Sequence, residues 1–243
     1  MTPFTAELLG TMLLILLGNG VVANTLLEGT KGHASGWIVI TTGWAMAVFV
    51  GVVVAGPFSG AHLNPAVTVA LAITGKFAWE AVPGYVLAQM IGAMLGAFLV
   101  WLTHKDHFAA TRNEASKLAC FATGPAIRKP LSNLISESVG TFVLVFTVLF
   151  LVGPTLDLGD EREVAIGLGS IGALPVALLV WVIGLSLGGT TGYAINPARD
   201  LGPRIMHTVM RIGGLSDWGY AWVPVVGPLL GAAVAAWLYL WLR

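Results

Sequence analysis

The sequence predicts an all-α membrane protein built as an inverted repeat, with six membrane-crossing helices and two short helices that reach only half way. Three observations carry this prediction. Of 243 residues, 56% are hydrophobic and only 10% charged, against about 25% charged in an ordinary soluble domain. The apolar residues recur as long runs along the whole chain instead of forming one tail. Two related boxes, GAHLNPAV at 60–67 and GYAINPARD at 192–200, open apolar stretches too short to span a bilayer.

In chain order, the runs are 5–27, 37–56, 80–103, 131–153, 164–188 and 218–242. Each is near the roughly 20 residues a helix needs to cross the hydrocarbon core. The first lacks a basic leader and a small-residue cleavage site, so it reads as a retained helix and not as a signal peptide. The short stretches are 64–74 and 196–207. Eleven helical residues cover about 16 Å, half the hydrocarbon thickness. Asn is a preferred N-cap and Pro suits the first helical position, so Asn64-Pro65 and Asn196-Pro197 read as helix starts. Taken singly, each box fits a surface-loop helix start as well.

The boxes are not independent. FTAELLGTMLLILL at 4–17 resembles LISESVGTFVLVFT at 134–147, matching Glu7, Gly10 and Thr11 with Glu137, Gly140 and Thr141 at an offset of 130. Asn64 matches Asn196 at 132, and QMIGA at 89–93 aligns with PLLGA at 228–232. The chain therefore reads as one domain, 1–243, with a first repeat 1–103, a connecting loop 104–130 and a second repeat 131–243. Three spans per copy force the second copy to insert upside down, which puts the site at the midplane where broken helices meet.

The chemistry at that midplane follows from the caps. A capping Asn accepts a backbone N–H through its oxygen, which turns its amide donors toward a passing solute. Two positive helix ends converge there, so a central water offers lone pairs to both amides, relays no proton, and sits where cations are repelled. The same donors would also suit a substrate carboxylate in a secondary transporter. Arg199 lies in the first turn of the second short helix, where a cation opposes the helix dipole and needs a wet cavity. Val67 stands at the equivalent place in the first repeat. The asymmetry predicts a single constriction on the second repeat's side.

Two NPA boxes, Asn64-Pro65-Ala66 and Asn196-Pro197-Ala198, in a six-span inverted repeat resemble the aquaporin (major intrinsic protein) family over nearly the whole chain. NPARD, with Asp200, looks like the aquaglyceroporin branch, the glycerol facilitators. The resemblance implies six helices and two re-entrant half-helices around a pore, and a homotetramer with one pore per subunit. It implies a four-member selectivity filter of Trp44, Gly184, Tyr193 and Arg199. Water-selective relatives usually carry His at the place of Gly184 and a smaller aromatic at that of Trp44, so this set suits a small polyol. Phe often stands where this chain has Tyr193, whose hydroxyl would narrow or polarise the filter. Without the family spacing, Trp44 and Tyr193 read as interfacial anchors and Gly184 as a packing glycine.

Glu7 and Glu137 need donors inside apolar spans. Their symmetry favours support of the two irregular loops over proton relay, and the family uses them so. His62 is placed to brace the first loop. Asp200 is spaced to pair with Arg204 one turn on, and the resemblance makes it a spacer of the loop. Pro224 and Val225 fit the glycerol-type pattern. Gly92 with Gly96, and Gly227 with Gly231, give faces for close helix contact.

The function implied is a passive channel for glycerol and related polyols, with some water, excluding protons and ions. The rivals are a secondary transporter, or a channel preferring undissociated lactic acid, dihydroxyacetone or hydrogen peroxide. No nucleophile–base pair and no HExxH is present, so no enzyme is expected. No cofactor and no metal are expected, since His62 lacks a second ligand at helical spacing. A formal net charge of zero argues against a nucleic-acid partner, and the single Cys120 excludes an internal disulfide. The expected partners are a small neutral solute, the lipid bilayer and copies of the chain itself.

The expected location is a cell membrane, of bacterial inner type from the compact termini, with both termini cytoplasmic by resemblance. Charge counting predicts the opposite orientation. Residues 104–130 carry Lys105, Arg112, Lys117, Arg128 and Lys129, whereas 154–163 carry Asp157, Asp160, Glu161, Arg162 and Glu163. Cys120 is expected to report the exposed side by thiol labelling.

Overall fold

A computed structural model describes residues 1–157 and 163–243. Among the described residues, six stretches are long and apolar enough to cross a membrane: Pro3–Leu26, Trp37–Ser59, Trp79–Thr103, Pro130–Phe150, Gly169–Ser186 and Val223–Trp241. The chain is an all-α multi-pass membrane protein. Its helices are α1 (Pro3–Leu26), α2 (Trp37–Ser59), α3 (Pro65–Ile73), α4 (Val82–Thr103), α5 (Lys105–Ala110), α6 (Glu114–Ala119), α7 (Pro130–Phe150), α8 (Leu174–Ser186), α9 (Pro197–Met210) and α10 (Val223–Trp241). Short 3-10 turns, Trp79–Ala81 and Gly169–Ala173, lead into α4 and α8.

Two spans start later than the apolar runs suggest. The fifth does not begin at 164, because Glu163–Ala165 pairs antiparallel with Thr155–Asp157 as a two-stranded ladder three residues long. It ends at Ser186, just before Gly188-Gly189. The sixth begins at Val223 because Pro224 lacks an N–H and suits the first helical turn. Asp160, Glu161 and Arg162, counted above for orientation, lie outside the described residues.

Small residues let the long helices touch. A Cβ on Gly92 of α4 would lie 2.3 Å from Leu8 O of α1, and one on Gly96 would lie 2.5 Å from Met12 O. In the second half, a Cβ on Gly231 of α10 would lie 2.1 Å from Ser138 O of α7, and one on Gly227 would lie 2.7 Å from Glu137 Cβ. Leu8 and Ser138 are separated by the same 130 positions that relate Glu7 to Glu137. The packing thus repeats with the sequence. The short helices cross between halves: α3 lies against α10, and α9 lies against α4. At 9 and 14 residues they cover about 14 and 21 Å, together about one membrane crossing.

Cys120, just beyond α6, does not serve as a labelling reporter. It is fully buried and its Sγ donates to Ser116 O at 3.1 Å. Burial pushes the thiol above its ordinary range, and reagents attack the thiolate.

Candidate functional site

The loops leading into α3 and α9 have the same unusual backbone. Gly60, Ala61 and Leu63 have φ of 80°, 51° and 51°; Gly192, Tyr193 and Ile195 have 82°, 39° and 44°. These are the positions four, three and one before each Asn. Non-glycine residues in this left-handed region cost on the order of 1–3 kcal/mol each and persist only where the surroundings impose them.

Two buried carboxylates impose them. Glu7 Oε1 accepts from His62 N (2.9 Å) and Ser59 Oγ (2.6 Å), and Oε2 accepts from Leu63 N (2.8 Å) and Gln89 Nε2 (2.8 Å). Glu137 accepts from Ala194 N (3.0 Å) and Ile195 N (2.9 Å). Both glutamates therefore hold the last two N–H groups before an Asn. His62 Nδ1 lies 3.1 Å from Thr68 Oγ1, and its ring packs among Phe77 and Tyr85, which ties its loop to α3 and α4.

The asparagines cap as the sequence suggests. Asn64 Oδ1 accepts from Ala66 N at 2.9 Å, and Asn196 Oδ1 accepts from Ala198 N (3.0 Å) and Arg199 N (3.2 Å). Their amide donors are not both free, however. Asn64 Nδ2 donates to Ile195 O and Asn196 Nδ2 to Leu63 O, each at 2.8 Å. An amide has two N–H groups, so one from each Asn ties the opposite loop and the other is left over. The reciprocal bonds lock the two half-helices end to end.

Two cavities meet above this junction. One, of about 170 Å³, is lined by both asparagines, His62 and a largely aliphatic wall that includes Val48, Val52 and Val180. The other, of about 250 Å³, is lined by Gly188, Gly189, Gly192 and Thr123 among others. Trp44, Tyr193 and Arg199 line both, and mark the place where the two meet. The Arg199 guanidinium carbon stands 4.1 Å from the centre of the Trp44 ring. Its Nη1 donates to Asn19 Oδ1 and to Phe121 O, both at 3.4 Å. The Trp44 ring in turn lies over Gly18 of α1, where a Cβ would come within 2.3 Å of it. Trp44 is 4% exposed, which removes the lipid-anchor reading.

Gly184 lines neither cavity; it sits behind Tyr193. A Cβ there would lie 2.9 Å from Tyr193 Cζ, and one on Gly188 would lie 2.4 Å from Tyr193 Cδ1. The ring occupies the room the two glycines leave, with Trp37 meeting it edge-on at 5.8 Å and donating its Nε1 to Gly184 O. The Tyr193 hydroxyl is buried and has no hydrogen-bond partner among the described residues. Replacing Gly184 with Ala is expected to push the Tyr193 ring into the meeting point and lower glycerol permeability several-fold, with water flux reduced less. Stopped-flow light scattering on proteoliposomes reads both; unchanged glycerol flux would remove Gly184 as the seat of that ring.

Asp200 and Arg204 form a fully buried ion pair at 2.8 Å. Asp200 Oδ2 also accepts from Thr123 N and Oγ1 at 2.7 Å, while Arg204 donates to Ser216 O, Asp217 O and Thr123 O. The pair anchors the 120–129 and 211–222 segments on α9. The sequence predicts this pair but not Thr123 and Ser216 as its partners, Gln89 as a partner of Glu7, or Asn19 and Phe121 as partners of Arg199. Only Asn19 and Gln89 carried a signal, as polar residues inside apolar spans.

The family model described as "Major intrinsic protein" matches residues 1–239. The chain is 53% identical to the "Probable glycerol uptake facilitator protein" of Thermotoga maritima over 244 aligned residues, covering 100% of both chains. It is 54% identical to the "Glycerol uptake facilitator protein" of Streptococcus pneumoniae over 241 residues, covering 98% of each. Among solved structures, the aquaglyceroporin from Plasmodium falciparum superposes with a TM-score of 0.82 at 32% identity, over 97% of this chain and 93% of that one. On its sequence, its fold and its paired half-helices, this chain belongs to the major intrinsic protein family.

Proposed function

We propose that this chain is a passive channel for glycerol and related small polyols, with some water. Its family makes it a channel protein and not an enzyme. The observation that carries the polyol reading is the shape of the meeting point: two aromatic rings, Trp44 and Tyr193, beside one cation, Arg199. A carbon backbone lies against the rings while its hydroxyls accept from the guanidinium. The names of the relatives support the same substrate class. In this reading Trp44, Tyr193 and Arg199 form the selectivity filter with Gly184 behind it, and the NPA residues form the pore centre. The remaining N–H of Asn64 and of Asn196 orients water there, and the converging helix ends repel cations.

Coupled transport needs a carboxylate with free capacity. Glu7 accepts four hydrogen bonds from protein groups, which favours the passive channel. The experiment is light scattering from proteoliposomes under an inward glycerol gradient, with a water gradient as control. Fast, non-saturating, pH-independent glycerol entry is expected. Saturable or pH-dependent entry would favour a transporter, and glycerol exclusion with lactic acid entry would move the substrate to that class.

The division into repeats 1–103 and 131–243, joined by 104–130, belongs to the same reading, supported by the matched glycine contacts and loop backbones. So do a homotetramer, no nucleic-acid partner, and a bacterial inner membrane with both termini cytoplasmic. Orientation is tested by an Arg112→Cys variant, since Arg112 is exposed and the native thiol is buried. Labelling of intact cells by an impermeant maleimide is expected; labelling only after lysis would put the termini outside.

A further inference from the structure

We propose that Asn19, on α1, is the positioning residue that aims Arg199 into the constriction. The inference rests on the reading of Arg199 as the filter cation. Arg199 is nearly buried, and its guanidinium has few protein acceptors: Asn19 Oδ1 and Phe121 O, both through Nη1. Asn19 is fully buried, and its Nδ2 donates at 3.3 Å to the same Phe121 O. The three groups close a ring in which the Asn19 amide both accepts from the arginine and fixes the carbonyl beside it. An apolar residue of similar size would fill the space but would supply neither bond.

The neighbouring residue strengthens the case. Gly18 is the seat of the Trp44 ring, whose face carries the Arg199 guanidinium. One step of α1, Gly18-Asn19, therefore supports two sides of the constriction from outside the pore. A buried asparagine in an apolar span is costly unless it is hydrogen-bonded, and among the described residues both bonds of the Asn19 side chain serve this arginine or its carbonyl partner.

With Asn19 replaced by Leu, the charged head is left with Phe121 O and the Trp44 face. It is free to swing across the lumen. The expected result is a glycerol permeability about fivefold lower than that of the parent, the scale of one typical intramolecular hydrogen bond. Asn19→Asp keeps the acceptor oxygen but loses the N–H that reaches Phe121 O, so it is expected to recover only part of the glycerol flux lost in Asn19→Leu. The decisive variant is Asn19→Leu combined with Arg199→Val. Once the arginine is gone, Asn19 has nothing to aim, so the double variant is expected to match Arg199→Val alone.

All variants are purified, reconstituted at equal protein, and measured by light scattering with glycerol and with erythritol. A double variant that loses a further fivefold relative to Arg199→Val would overturn the proposal, since Asn19 would then act on the fold in general. So would Asn19→Leu with parental flux while Arg199→Val relaxes selection, which would leave the filter reading intact. If Arg199→Val itself changes nothing, the filter reading fails, and this proposal with it.

Discussion

Replacing Arg204 with Met is expected to destroy most of the folded protein. Met fills similar volume, but Asp200 would then be charged, fully buried and without a cation. Removing one partner of a buried pair costs about 3–5 kcal/mol, and here the carbonyls of Thr123, Ser216 and Asp217 also lose their donor. The segments they belong to lie beside the constriction: Gly192 packs against Thr123, and Phe121 O holds Arg199. Arg204→Lys is not expected to rescue, because a point charge cannot replace a fork that reaches Asp200 and three carbonyls at once. Thermal denaturation in detergent, followed by size-exclusion chromatography, checks this. A variant with parental stability would show that the network is not a brace.

Glu7→Gln is the second large effect, and it separates a brace from a proton carrier. Every partner of the Glu7 carboxylate is a donor: two backbone N–H groups, a hydroxyl and an amide. Glutamine turns one acceptor oxygen into another donor, which then faces donors. Leaving such groups unsatisfied costs about 1–3 kcal/mol, on top of two left-handed residues that the carboxylate holds in place. Low membrane abundance with parental flux per molecule is expected. Normal abundance with lost flux would point to proton coupling and revive the transporter. Glu137 predicts the same in the second loop, with Ala194 and Ile195 as the released N–H groups.

Much of this is legible in the sequence. Span number, the two half-helices and the duplication follow from hydropathy and from matched Glu, Gly and Asn positions, because a bilayer and an inverted repeat leave few alternatives. Asn64 and Asn196 were readable as caps, since capping is local. What was not legible depends on residues far apart in the chain. The second task of each asparagine, donating to the opposite loop, needs both half-helices docked. Gly184 illustrates the same limit. The family resemblance implies a place in the filter for it, but only packing reveals that Tyr193 fills its space. Arg199 was identified by its place in the box, while its supports, Asn19 and Phe121, lie 180 and 78 residues away.

The central claim is that solutes are selected where Trp44, Tyr193 and Arg199 meet. The most direct measurement compares glycerol, erythritol and proton entry into proteoliposomes carrying the parent or Arg199→Val. The parent is expected to pass glycerol much faster than erythritol, with no proton entry above empty vesicles. The variant is expected to narrow the glycerol-to-erythritol ratio by at least about threefold, within the scale of one typical hydrogen bond, while remaining folded. A well-folded variant with the parental ratio would mean that selection happens elsewhere along the pore.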